Sequence, residues 1–191
     1  MNTKKIALFT FLLVALAQVY VPASMILNQE KVWRTGKEYK FKTAPIDPSD
    51  PFQGKYITLS FAENRIKIPK NENWLPGEFA YVSVITDSAG FAKIKAISKK
   101  EPATNADYFK ATVSYVTEDE PNQVIIDFPF DRYYLEESKA ADAEQLYRQA
   151  QNDTTQTAYA LVSIKNGRAV IKDVLVGETT IRELVKAHQK K

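Results

Sequence analysis

Residues 43–61 read TAPIDPSDPFQGKYITLSF, and this stretch guides the interpretation of the rest of the chain. Asp47 and Asp50 stand between prolines and can accept hydrogen bonds from nearby backbone amides, as turn residues commonly do. After Gly54, apolar and polar residues alternate through 55–61, which predicts a half-buried strand. Its core face would carry Ile57, Leu59 and Phe61, and the turn before it is fixed by Pro45, Pro48 and Pro51.

The same alternation recurs along the chain and predicts seven or eight strands in total. Two turn signals connect them into hairpins: the Asp-Ser-Ala-Gly loop at 87–90, and Asn166-Gly167, a dipeptide typical of a type I′ turn. Regular short strands joined by hairpins indicate an antiparallel sheet. Besides 55–61, the predicted strands are 37–42, 79–86, 91–98, 107–117, 123–130, 157–165 and 168–176.

Two helices are predicted within or after these strands. Residues 138–151 carry an apolar stripe at helical spacing, formed by Ala140, Ala143, Leu146 or Tyr147, and Ala150. Thr180 and Glu183 fit a capping box, so a short terminal helix should run from Ile181 to about His188. The predicted fold class is mainly β: an antiparallel β-barrel or sandwich with one inserted helix and a short C-terminal helix.

The amino-terminal segment is apolar enough to cross a membrane. A basic head at 1–5 precedes residues 6–27, which are polar only at Thr10, Gln18 and Ser24. As a helix, 22 residues span about 33 Å, against about 30 Å for a hydrocarbon core. A cleavable signal peptide is the alternative, because Ala15-Leu16-Ala17 fits a cleavage site. The apolar run continues for ten residues beyond Ala17, which favours the transmembrane anchor.

We expect a linker at 28–36 and a folded β domain at 37–191 that lies outside the cytoplasm, periplasmic or extracellular. More basic residues follow the apolar segment than precede it, and simple counting of positive charges would favour the opposite orientation. Long folded domains, however, translocate largely regardless of charge. The expectation is therefore a single-pass protein with an extracytoplasmic domain.

The composition argues against several classes of function. The 26 basic and 23 acidic residues are too balanced for a nucleic-acid-binding protein. Cysteine is absent, which excludes disulfides and thiolate metal sites, and the only histidine, His188, stands in the basic tail. The six glycines are isolated, so there is no glycine-rich phosphate-binding loop. We predict no metal site and no cofactor.

Three groups of residues invite a catalytic or ligand-binding interpretation, and each has a simpler structural one. Asp47 and Asp50 could bind a cation or act as acid and base, but the prolines around them favour turn formation. Ser24-Met25 resembles the nucleophile of signal peptidases, although Ser24 lies within the apolar run. Tyrosines on strands could stack on sugars, but they more often form cross-strand pairs; these are Tyr56, Tyr81, Tyr108, Tyr133, Tyr134 and Tyr159.

Taken together, these motifs resemble the GDYXXLXY family of small membrane-anchored bacterial proteins. Lys55 replaces the aspartate of the central motif. Residues 43–48 are similar to the usual lead-in, residues 131–136 to an aromatic pair before an acidic residue, and residues 166–171 to the closing hairpin. The resemblance covers most of the chain and implies an anchored extracytoplasmic domain without supplying a mechanism. The motif positions, interpreted as structural, are Pro45, Asp47, Pro48, Gly54, Tyr56, Leu59 and Phe61.

Two functions are compatible with these observations. The leading hypothesis is a non-enzymatic, membrane-anchored module for protein–protein interaction, with an accessory or regulatory role in the cell envelope. Its partners would be the lipid bilayer, through residues 6–27, and another membrane or envelope protein. The alternative is binding or processing of an extracellular polysaccharide.

Overall fold

The computed structural model describes residues 3–44, 56–69, 72–102, 106–117, 122–152 and 156–190. These ranges contain three helices: α1 (Thr3–Thr35), α2 (Glu137–Asn152) and α3 (Ile181–His188). They also contain twelve strands: β1 (Lys37–Ala44), β2 (Tyr56–Thr58), β3 (Ser60–Phe61), β4 (Arg65–Lys67), β5 (Phe79–Thr86), β6 (Ala92–Ser98), β7 (Tyr108–Thr117), β8 (Gln123–Asp127), β9 (Arg132–Tyr134), β10 (Ala158–Lys165), β11 (Arg168–Val176) and β12 (Thr179–Thr180).

The paired strands are antiparallel and form two five-stranded sheets and one two-stranded sheet. The first five-stranded sheet has the order β12-β11-β10-β1-β3, and the second has the order β4-β8-β7-β5-β6. β2 pairs with β9. The sheets together make a nearly closed, barrel-like arrangement, and more residues lie in strands than in helices. The predicted mainly β fold with an inserted helix and a short terminal helix is therefore confirmed.

Phenylalanines from several elements form the centre of the core. Phe41 is 2% exposed, and its ring makes edge contacts with four other phenylalanine rings at centroid distances of 5.3–6.1 Å. Edge-to-face contacts at these distances are favourable for aromatic pairs. Because the partners come from β3, β7 and the segment after β8, the cluster joins both large sheets; they are Phe61, Phe109, Phe128 and Phe130.

Two features that depend only on neighbouring residues, the turn at 166–167 and the capping box at 180–183, agree with the prediction from the sequence. Asn166 and Gly167 both have positive φ, 49° and 76°, as the tight turn between β10 and β11 requires. Thr180 accepts a hydrogen bond from the Glu183 backbone N–H, and the Glu183 side chain accepts one from the Thr180 backbone, so the capping box is present. In α2, Ala140, Ala143 and Tyr147 are buried. Of the two residues predicted as alternatives in the apolar stripe, Leu146 and Tyr147, the buried one is therefore Tyr147.

The predicted continuous strand at 55–61 is divided in the structure, and this corrects the prediction. β2 pairs with β9, with Tyr56 opposite Tyr134, whereas β3 pairs with the end of β1, with Phe61 opposite Thr43. At the break, the backbone N–H of Leu59 donates to the carbonyl oxygen of Asp131 at 2.7 Å. The chain changes pairing partner there, so one alternating segment serves two sheets.

The predicted linker at 28–36 is helical up to Thr35 and is packed on the β domain. Val32 is 5% exposed, and α1 contacts β10 and β11. The Ser163 hydroxyl donates to the carbonyl oxygen of Trp33 at 3.4 Å, and the Lys165 ammonium donates to the Thr35 hydroxyl at 2.7 Å. The apolar segment therefore continues into the domain as one helix instead of through a separate linker.

Among the described residues, α1 is the one helix that length and composition would allow to cross a membrane. Its most apolar 18-residue window has a mean hydropathy of 2.1, and none of that window is buried in the fold. The helix has 33 residues and is about 50 Å long. Such a helix is compatible with a membrane anchor, and a signal sequence near the amino terminus has the same properties.

Candidate functional site

The motif residues predicted from the sequence fall into three groups. Leu59 and Phe61 are buried, both 4% exposed, and Phe61 belongs to the phenylalanine cluster. Tyr56 is half-buried and lies on the face of β2 opposite to that of the buried Ile57. The remaining positions lie outside the described residues: Pro45, Asp47, Pro48 and Gly54.

The Tyr56 ring belongs to a small surface cluster with residues of β9. Because β2 and β9 pair in register, Tyr56 stacks at a tilt against Tyr134, with ring centroids 5.5 Å apart. The guanidinium of Arg132 lies 5.0 Å from the centre of the Tyr56 ring. A cation over an aromatic face is an attractive contact. The central motif therefore connects directly to the Arg132-Tyr133-Tyr134 segment that carries the second part of the resemblance.

Beside this cluster is a groove of about 500 Å³ that we name the anchor groove. One wall is Gln29 and Trp33 of α1, and the others are residues 129–134, residues 169–172 and Arg182. Its lining includes three cationic side chains, Arg132, Lys172 and Arg182, and one carboxylate, Asp131. The lining is therefore net positive, and it begins where the apolar helix enters the domain.

The cations of the anchor groove are positioned by aromatic rings. The Lys172 ammonium lies 4.7 Å from the centre of the Trp33 ring, and the Arg182 guanidinium lies 5.4 Å from that of Tyr133. Lys172 also forms an ion pair with Glu38 at 2.6 Å. Each of the three cations of the groove therefore lies over an aromatic ring: Arg132 over Tyr56, Lys172 over Trp33 and Arg182 over Tyr133.

Tyr133 connects the anchor groove to the core. It is 4% exposed, and its hydroxyl donates to the Asp173 carboxylate at 2.7 Å. Burial and the hydrogen bond to Asp173 raise the pKa of Tyr133 above its usual value. The phenol therefore stays protonated at neutral pH, which suits a structural hydrogen-bond donor and not a base.

A larger cavity of about 790 Å³ lies at the start of β1 and includes Lys37, Asp107 and Tyr108. Lys37 and the Tyr39 hydroxyl both donate to the Asp107 carboxylate at 2.7 Å. Burial alone would raise the pKa of Asp107, but the hydrogen bonds from Lys37 and Tyr39 outweigh it and lower the pKa. The Tyr108 hydroxyl donates to Glu101, and this bond raises the pKa of Tyr108 to about 12.

This larger cavity is a weaker candidate than the anchor groove for a physical reason. The carboxylates of Asp107 and Glu101 already accept hydrogen bonds from protein groups, and the ammonium groups of Lys37 and Lys165 already donate them. A ligand would have to replace those contacts. In the anchor groove, Lys172 is paired with Glu38, whereas Arg132 and Arg182 interact with the side chains of Tyr134 and Tyr133 and form no ion pair within the described residues.

Of the other residues singled out from the sequence, Ser24 and His188 do not line the anchor groove, whereas four of the tyrosines form two ring pairs, Tyr56–Tyr134 and Tyr81–Tyr108, with centroids 5.5 and 5.9 Å apart. Ser24 lies in the apolar part of α1, where its hydroxyl donates to the carbonyl oxygen of Val21 at 2.7 Å. His188 ends α3 and is exposed. The described ranges hold no cluster of three or more acidic or histidine residues placed to bind a metal. Of the six tyrosines, Tyr108, Tyr133 and Tyr159 are buried, Tyr56 and Tyr81 are half-buried, and Tyr134 is exposed.

Sequence reasoning did not identify Trp33, Lys172 and Arg182 as residues of one site. Arg132 lies within residues 131–136, which resemble a family motif, and this resemblance is the sequence signal that pointed to part of the site. The cations lie 40 and 10 residues apart along the chain, and they come together because β9, β11 and the start of α3 all contribute to the lining of one groove. Such a juxtaposition has no local sequence pattern.

Comparison with known protein families gives a match to the family described as GDYXXLXY protein over residues 18–174. The matched range begins within α1, ends in β11 and contains every lining residue of the anchor groove except Arg182. No curated protein and no solved structure matches the chain. Because the matched range covers most of the sequence and agrees with the motif positions, the chain belongs to the GDYXXLXY protein family.

Proposed function

We propose that this protein is a non-enzymatic, membrane-anchored interaction module whose β domain lies outside the cytoplasm and contacts another membrane or envelope protein. The observation that carries the proposal is the joint between α1 and the domain. The helix continues without interruption from the apolar segment to Thr35 and packs through Val32. A domain joined in this way is held at a fixed height and orientation above the bilayer, which favours contact with a neighbouring protein.

The proposed protein contact is an outer apolar patch formed by Leu75, Phe79 and Tyr115. These side chains are 64%, 58% and 59% exposed. Phe79 stands opposite Thr112 on the outer face of the second large sheet, and Tyr115 follows three residues later on β7. Exposed clusters of large apolar side chains commonly mark interaction sites. Leu75 lies in the turn before β5, where its carbonyl oxygen accepts the Glu78 backbone N–H at 3.1 Å, and the Lys110 ammonium lies 3.7 Å from the centre of the Phe79 ring at the edge of the patch.

The first prediction is that the anchor is retained. We expect the intact mass of the protein extracted from native membranes to include residues 6–27, because the apolar run extends beyond Ala17. Mass spectrometry of the full chain measures this. A mature amino terminus at Gln18 would instead show that the segment is a cleaved signal peptide, and the proposal of an anchored module would fail.

The second prediction concerns the outer apolar patch. A photoreactive phenylalanine analogue at Phe79 or Tyr115 should form an adduct with one discrete protein in native membranes. The same analogue at Ile85 is the matched control, because Ile85 is also on β5 and is 43% exposed. Phe79→Ala should reduce the adduct formed from position 115 by about tenfold or more, since apolar contact area is lost.

Two outcomes would overturn this proposal. Equal adducts at positions 79 and 85 would mean nonspecific contact. Adducts that are sensitive to glycosidase and insensitive to protease would mean that a polysaccharide occupies the patch, which is the alternative function. Because the patch residues are exposed, the Ala variants should melt within about 2 °C of the unchanged protein.

A further inference from the structure

We infer that the anchor groove binds the phosphate of an anionic phospholipid headgroup in the leaflet from which α1 emerges. The inference rests on the proposed function, because it requires residues 6–27 to lie in the bilayer. It goes further by assigning a ligand class to a surface other than the outer apolar patch. Three properties of the groove favour such a ligand: its height above the apolar segment, its charge and its aromatic residues.

The groove lies at the depth of the lipid headgroups. The apolar run ends at Leu27, and Gln29 and Trp33 follow two and six residues later on the same helix. At about 1.5 Å per residue, they stand about 3 Å and about 9 Å beyond the apolar end. A bilayer is about 40–45 Å thick including its polar regions and about 30 Å in its hydrocarbon core, so each headgroup layer is about 5–8 Å deep. The wall formed by α1 therefore crosses this layer.

The charge of the groove suits a phosphate diester. Arg132, Lys172 and Arg182 line it against the single carboxylate of Asp131. Three further carboxylates lie beside the lining and are engaged by protein groups: Glu38 by Lys172, Asp173 by the Tyr133 hydroxyl, and Glu136, which also interacts with Arg182, by Lys139. A guanidinium has five N–H donors in a planar fork that matches phosphate oxygens. Stacking of Arg132 over Tyr56 and of Arg182 over Tyr133 positions those forks.

The aromatic residues favour a lipid over a soluble phosphate. Trp33 is 41% exposed and Tyr134 is 62% exposed, so both present apolar ring surface beside the cations. Tryptophan and tyrosine are enriched where proteins meet the headgroup layer, because one part of the ring is apolar and another is polar. A soluble phosphate ester would use the cations and leave these rings in water, whereas a lipid would contact both.

The test measures lipid preference in the full chain, purified in a zwitterionic detergent. Phosphatidylglycerol and phosphatidylcholine with identical acyl chains are added separately, and native mass spectrometry gives the Kd of each. We expect phosphatidylglycerol to bind roughly 10- to 100-fold more tightly, because three basic residues line the groove and each one near a membrane surface strengthens binding of anionic lipid by about fivefold.

Two double variants with the same change of net charge separate the groove from general electrostatics. Arg132→Gln with Arg182→Gln should reduce the preference for phosphatidylglycerol to less than about threefold. Arg65→Gln with Lys67→Gln is the control, because both residues are exposed on the edge strand β4, and it should leave the preference unchanged. Arg132→Lys with Arg182→Lys should retain an intermediate preference, because charge remains while the planar fork is lost.

Three results would overturn the inference: equal affinity for the two lipids, equal loss of preference in both glutamine variants, or full competition by soluble glycerol phosphate at concentrations near the lipid Kd. The last result would assign the groove to a free phosphate ester. Because purified intact protein is used, the outcome does not depend on the adduct at Phe79. Failure of the lipid site and failure of the protein-contact proposal can therefore be told apart.

Discussion

Replacing Phe41 by alanine should lower the free energy of unfolding by about 3–5 kcal/mol, because this substitution empties the centre of the core. Phe41 is 2% exposed, and its ring contacts those of Phe61, Phe109, Phe128 and Phe130. These partners belong to both large sheets, so the loss affects the interface that closes the barrel-like arrangement. For a chain of this size we expect the melting temperature to fall by about 6–20 °C.

Circular dichroism of the full chain in mild detergent measures this fall, with the β-sheet signal as the readout. Phe79→Ala is the matched control, because Phe79 is 58% exposed and should cost less than about 1 kcal/mol. Phe61→Ala should resemble Phe41→Ala, since Phe61 is 4% exposed in the same cluster. If the Phe41→Ala and Phe79→Ala proteins had the same melting temperature, the phenylalanine cluster would not stabilise the fold.

The parts of the fold that the sequence predicted are those that local chemistry determines. The Asn166-Gly167 turn requires two positive φ values that this dipeptide adopts readily, and the capping box forms within four residues. Long strands can be predicted from the alternation of apolar and polar residues, because each places several side chains on one buried face. For these elements the relevant contacts are near neighbours in the sequence.

Pairing choices between distant segments could not be predicted in this way. The segment 55–61 alternates throughout, and the buried positions Ile57, Leu59 and Phe61 were predicted and are confirmed. Its division into β2 and β3 follows from the positions of β9 and β1, which lie elsewhere in the chain. β4, β9 and β12 have two or three residues each and are too short to show a period.

The helical continuation through residues 28–35 was missed because its sequence is largely polar. Val32 is the one buried residue of α1 in the described structure, so this part of the helix has no apolar stripe to detect. The candidate site was missed for a related reason. Its cations come from β9, β11 and α3, which belong to two different sheets and a helix, so tertiary packing and not sequence spacing brings them to one groove.

Gly36→Ala should loosen the joint between α1 and the β domain. An added Cβ would lie 2.6 Å from the carbonyl oxygen of Val32 and 3.1 Å from both the nitrogen and the carbonyl oxygen of Ile164. All three are backbone atoms, so relief requires the backbone at the end of α1 to change its conformation next to Val32 and to move away from Ile164 of β10. Overpacking of this kind costs about 1–3 kcal/mol. The separation would also weaken the pairing of Lys37 with Ile164, the outermost pair between β1 and β10.

Trp33 provides the measurement, since it lies on the same helical turn as Val32 and contacts Lys172 of β11. In a Trp74→Phe background it is the only tryptophan, and its emission should shift to longer wavelength when the joint opens. Gly90→Ala is the control: φ at Gly90 is +83°, so alanine there is strained by about 1 kcal/mol, but nothing lies within 4 Å of its added Cβ. That variant should have a lower melting temperature, and the wavelength of the Trp33 emission should not change.

The same substitution connects the joint to the site. Trp33 and Gln29 form one wall of the anchor groove, so moving the helix from β10 and β11 should widen the groove. Gly36→Ala should therefore reduce the preference for phosphatidylglycerol even though Arg132 and Arg182 remain, because the cations no longer face the wall that lies in the headgroup layer. A shifted Trp33 emission with an unchanged lipid preference would show that the joint and the lipid site are not coupled. The groove would then function without a rigid anchor.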